Sequence, residues 1–115
     1  MKEKLPKSFK KKWVAALRSG DYRQTKSYLC EDISHSETPE LGFCCLGVAC
    51  VVAKVDPKEI AGKDYIDPHF CLGVPEVLCG DIDPESTETV REKLAFFNDS
   101  GKSFNWIASY IERYL

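Results

Sequence analysis

At 115 residues and a formal net charge of −2, the chain is long enough for one hydrophobic core and too short for two. A hydrophobic content of 43% excludes wholesale disorder, and the longest apolar run, residues 43–53, falls short of the about 20 residues that a bilayer span requires. The charge is unevenly placed: residues 1–26 carry nine Lys/Arg against two acids, while the rest carries seven against sixteen.

In chain order, Phe9, Trp13, Ala16 and Leu17 recur at helical spacing behind Pro6, and Gly20 stops the pattern, which predicts a basic amphipathic helix over residues 6–19. Alternation over residues 22–30 suggests a short strand, and residues 31–42 are polar and turn-rich. Residues 43–54 are apolar on every side, as in a buried segment, and the length favours helix; Gly47 there implies close backbone approach. One helical turn is expected at residues 57–61, and a short helix from Pro75 to Gly80. Asp83-Pro84-Glu85 reads as a helix start, and Ser103 caps a last helix with Phe104, Ile107, Ala108, Ile111 and Leu115 on one stripe. The expected fold is a mainly α single domain over residues 1–115. It ends in an αα-hairpin over residues 84–114, with one short β-hairpin (25–30 with 41–44) as its β element. Its predicted core gathers Trp13, Leu17, Leu46, Cys50, Val77, Leu94, Phe97, Phe104, Ile107 and Ile111.

The chain repeats itself briefly: Phe43-Cys44-Cys45-Leu46-Gly47-Val48 returns as Phe70-Cys71-Leu72-Gly73-Val74, and five of six cysteines lie in or near the two copies. No export signal is visible, so the expected location is the cytoplasm, with reduced thiols. The main reading of these cysteines is core packing. As an alternative, Cys44 or Cys45 at a helix start acts as a nucleophile with His69 or His35 as base, making a thiol-dependent hydrolase. A second alternative is zinc held by Cys44, Cys45, His69, Cys71 and Cys79, although the paired spacing of zinc sites is missing. No cofactor is expected.

Gly101-Lys102-Ser103 lacks the earlier glycine and the strand of a phosphate loop, so it reads as a turn and N-cap that can still hold an anion. Lys102 and Ser103, with Tyr22, Trp106 and Tyr110, form the candidate ligand-binding set; aromatic side chains beside small polar ones suit a protein or nucleotide surface. Nucleic-acid binding by the basic helix is a third reading, disfavoured because few aromatics interleave its lysines.

Three blocks together, Trp13-Val14-Ala15-Ala16-Leu17-Arg18-Ser19-Gly20, Phe43-Cys44-Cys45-Leu46-Gly47-Val48 and Phe97-Asn98-Asp99-Ser100-Gly101-Lys102-Ser103-Phe104, resemble a family of small uncharacterised proteins of bacterial viruses and prophages. The resemblance implies a phage or prophage origin and a host-directed or replication-accessory role, and transfers no catalytic residues. The resulting expectation is a non-enzymatic binding protein, host-modulating and anti-defence in type. It would recognise a host protein or sequester a small anionic, nucleotide-like ligand, and the charge split would favour a homo-oligomer.

Overall fold

A computed structural model describes residues 5–34, 37, 40–83 and 85–115. The described chain forms α1 (Lys7–Arg18), β1 (Arg23–Gln24), β2 (Cys30–Asp32), β3 (Leu41–Phe43), α2 (Cys45–Val52), α3 (Pro57–Ile60), a 3₁₀ turn (Glu76–Leu78), α4 (Val90–Asp99) and α5 (Phe104–Tyr114). Helices dominate, and a three-stranded sheet in the order β1-β3-β2 makes the domain mixed α+β.

The sheet differs from the expected hairpin. Only Cys30–Asp32 pairs antiparallel with Leu41–Phe43, while Arg23–Gln24 lies parallel to the same strand on its other edge. Strands this short carry too little alternation to be read, and the parallel pairing has no local turn to announce it.

The buried segment begins as strand and continues as helix. Cys44 is the junction: its extended backbone makes it the N-cap of α2, and its Sγ accepts the Gly47 N–H at 3.4 Å. Six consecutive residues, 45–50, are buried, as expected for a helix apolar on every side. The close approach expected at Gly47 is made by the Leu29 carbonyl, whose oxygen would lie 1.8 Å from any Cβ at that position.

α1 buries Trp13, Val14 and Leu17 against α2 and α5, and Trp13 Nε1 donates to the Cys45 carbonyl at 3.0 Å. Of the ten predicted core residues all are buried except Phe97, which is only partly covered. The two copies of the Cys-Leu-Gly echo have different structures. The first is buried across the end of β3 and the start of α2, whereas the second is a loop in which Phe70 and Leu72 are exposed while Cys71 and Val74 turn inward.

α4 starts at Val90, several residues after the predicted start. Pro84 lies outside the described residues; around it, the Asp83 carboxylate caps a turn by accepting the Glu85 N–H at 2.9 Å. The helix signal belongs to Thr89 instead. Thr89 Oγ1 accepts the Glu92 N–H at 3.2 Å, and Glu92 Oε1 accepts the Thr89 hydroxyl at 2.9 Å.

Glu92 also ties the preceding loop to the helix. Its Oε2 accepts the Asp83 N–H at 2.8 Å and its Oε1 the Ser86 hydroxyl at 3.0 Å. The Asp83 N–H, then the Thr89 hydroxyl, hold its pKa below the ordinary glutamate value. A lowered carboxylate adds stability in full above its unfolded pKa and loses it as pH falls through the folded value. Glu92→Gln is therefore expected to lower the urea midpoint at pH 7 and to flatten its decline below about pH 4.3. An acid limb unchanged from wild type would assign that sensitivity to other groups.

Candidate functional site

The C-terminal turn and α5 form one surface unit. Ser103 caps α5, its Oγ accepting the Trp106 N–H at 3.1 Å, and Gly101 precedes it at φ 99°. Phe104, Ile107, Ala108 and Ile111 are buried on one stripe. A second stripe at i, i+4 spacing holds Trp106, Tyr110 and Tyr114. The Trp106 and Tyr110 rings are near-parallel, 12° apart with centroids 6.0 Å apart, and Tyr114 follows at 4.9 Å. Phe97 of α4 braces this ladder edge-on, 4.9 Å from both Trp106 and Tyr110. Trp106 remains 40% exposed and Tyr114 64%, so the two ends of the ladder present open surface, while Tyr110 between them is partly buried against the core. Lys102 Nζ sits 4.8 Å over the Trp106 ring, a cation–π contact.

Lys102, Ser103, Trp106 and Tyr110 thus come together as the sequence suggested, and Tyr22 does not. Its ring packs edge-on against Phe43 at 5.6 Å, half-buried beside the sheet. Sequence reasoning missed the bracing role of Phe97, assigned to the core, and the contribution of Tyr114. The i, i+4 spacing from Trp106 through Tyr110 to Tyr114 was the available signal.

The turn that presents Lys102 is anchored by Asn98, which is fully buried. Its Oδ1 accepts the Cys45 N–H at 3.1 Å and Gln24 Nε2 at 2.9 Å, and its Nδ2 donates to the Thr25 carbonyl at 2.7 Å. Gln24 Nε2 also donates to the Lys102 carbonyl at 2.7 Å. The Asn98 amide therefore satisfies an orphan N–H at the start of α2 and the carbonyl that follows β1, and through Gln24 it reaches the base of the Lys102 turn.

The thiols are arranged otherwise than either alternative requires. Burial pushes the Cys44 thiol up to about 12, outweighing the Gly47 N–H that favours thiolate, and it pushes Cys45 well up too. Cys44 borders a cavity of about 250 Å³ whose polar wall includes Asp64, Asp83, Glu92 and Asp99; no histidine lines it among the described residues. Asp99 further disfavours the thiolate. His69 is exposed on the 67–74 loop, where its N–H donates to Asp67 Oδ1, and no hydrogen bond joins it to a thiol among the described residues. His35 lies outside them.

The proposed zinc ligands do not converge on one point. Cys71 neighbours Cys50, with Cys44 and Cys79 close enough to add to the rise that burial gives the Cys50 pKa, but Cys45 Sγ points to the Leu94 carbonyl at 3.5 Å and Cys79 Sγ lies 3.6 Å from the Pro75 carbonyl. Among the described residues no three His, Cys, Asp or Glu side chains are grouped to hold a metal ion. All six cysteines are buried free thiols, and none of the described helices is long and apolar enough to cross a membrane.

The molecule is thus a small α+β domain with an open aromatic and cationic face. Residues 1–71 match the family described as Domain of unknown function (DUF8296), and the chain belongs to that family. The matched stretch runs from α1 through α3 to Cys71, so α4, α5 and the aromatic face lie beyond it. No curated protein and no solved structure matches the chain.

Proposed function

We propose that this chain is a non-enzymatic binding protein of phage type, acting in the host cytoplasm by sequestering a small anionic, nucleotide-like ligand on the α5 face. The observation that carries the reading is the Lys102–Trp106–Tyr110 arrangement: two near-parallel aromatic rings with an ammonium group over the Trp106 ring. A base would stack on Trp106 and Tyr110, while its phosphate took Lys102 and the N–H groups that open α5. The high thiol pKa values of Cys44 and Cys45 support a binding role over a thiol-hydrolase one.

Tryptophan fluorescence gives a direct test, because Trp13 is fully buried and Trp106 is open. Titration with AMP is expected to quench Trp106 saturably, and Lys102→Ala to weaken binding about tenfold by removing a charge-assisted hydrogen bond. An absence of saturable quenching by millimolar AMP or GMP would remove the reading.

A further inference from the structure

In the sequence the lysines and the aromatics stand about as far apart as the chain permits; the fold sets them side by side. α5 lies against α1, with Arg18 Nη1 3.1 Å from Glu112 Oε2 and Nη2 3.0 Å from Ser109 Oγ. Glu112 borders two adjoining grooves. One holds Trp106, Tyr110, Arg113 and Tyr114; the other holds Lys7, Lys10 and Lys11. Among the described residues the ion pairs are Arg18–Glu112 and Arg23–Glu40, so those three lysines and Arg113 pair with no carboxylate.

Solvated lysines alone signify little. Here, however, they continue a ladder of aromatic rings whose ends, Trp106 and Tyr114, are exposed, and Glu112, which borders both halves, is held by Arg18. Resting on the reading of Trp106 and Tyr110 as a base platform, we infer that the ligand is a single-stranded nucleic acid several nucleotides long. Its bases stack on Trp106, Tyr110 and Tyr114, and its phosphates pass Arg113 over α5 toward Lys11, Lys10 and Lys7. Stacking on an aromatic face is open to every base, so the strand is bound with little sequence preference. A duplex keeps its base faces stacked on each other and offers only phosphates. A mononucleotide occupies the aromatic half and leaves the lysines idle.

The test is fluorescence anisotropy with a labelled oligothymidylate of about twelve nucleotides, within the range that single-strand sites cover. It should bind at least about tenfold tighter than thymidine monophosphate, and Tyr114→Ala should weaken it about fivefold or more. Tyr114 is 64% exposed, so its loss leaves the fold intact, which far-UV circular dichroism checks. The Lys10→Gln/Lys11→Gln double variant should leave AMP quenching unchanged while reducing the salt slope by about 1.4, at about 0.7 for each phosphate that is no longer neutralised.

If AMP quenches Trp106 but the oligonucleotide binds no tighter, the strand inference falls and the nucleotide reading stands. If neither binds, both fall. A duplex that competes as well as the single strand overturns the stacking path, and an unchanged salt slope in the lysine variant overturns the route over α1.

Discussion

Gly47→Ala is expected to destabilise the protein by about 3 kcal/mol or more, at the upper end of what overpacking costs. At an exposed helical site the same change would gain about 1 kcal/mol from helix propensity. Here the new Cβ would lie 1.8 Å from the Leu29 oxygen and 2.8 Å from its carbonyl carbon. Both are backbone atoms, so no rotamer change can relieve the overlap. The Leu29 oxygen also accepts the Cys44 N–H at 3.2 Å, which holds it at the start of α2. Moving α2 away would break that bond and uncover a helix buried along residues 45–50. Against a total stability of about 5–15 kcal/mol, the loss is large enough to show as poor soluble expression. Urea denaturation checks it: the midpoint should fall with the slope preserved. A midpoint equal to or above wild type would mean that Leu29 does not rest on α2.

Asn98→Ala is expected to cost a comparable amount, about 3–5 kcal/mol, by a different route. It leaves the Cys45 N–H and the Thr25 carbonyl without their partner, at about 1–3 kcal/mol each, and opens a small void. Asn98→Asp separates hydrogen bonding from shape. It keeps an acceptor for Cys45 but sets a buried carboxylate against the Thr25 oxygen, so its folded pKa is raised. The variant should therefore be weakest at neutral pH and regain stability as acidification protonates the new carboxyl. Denaturation midpoints at pH 7 and pH 5 measure this. A deficit independent of pH would mean that Asn98 acts through packing alone. Because Gln24 bridges Asn98 and the Lys102 carbonyl, either variant should also loosen the Lys102 turn and weaken nucleotide binding.

The helices were the legible part of the sequence. α1 and α5 each bury a clean stripe, and Ser103 caps α5 as its hydroxyl and position suggested. The sheet was not legible, since strands of two and three residues leave no period to detect. Asp83 imitated a helix cap because an Asx turn and an N-cap use the same carboxylate–amide bond; only the Thr89–Glu92 exchange distinguishes the true start. Asn98 looked like a turn residue, though its place four positions after Leu94 on the buried side of α4 was a signal that it faced inward. The aromatic half of the site could be read from one helix. Its meeting with the lysines could not, because Arg18 and Glu112 are 94 positions apart.

The pairing of α1 with α5 also sets an order of events during synthesis. A ribosome adding about 5–20 residues per second takes roughly five to twenty seconds to pass from one helix to the other. Throughout that interval Val14 and Leu17 lack the cover that α5 later gives them. The nascent chain thus carries an uncovered apolar strip on a lysine-rich helix, a form that chaperones of the translating cell are built to hold. Docking of α1 on α5 can follow only when α5 has cleared the exit tunnel, and the basic and aromatic halves of the outer face come together in that same late step.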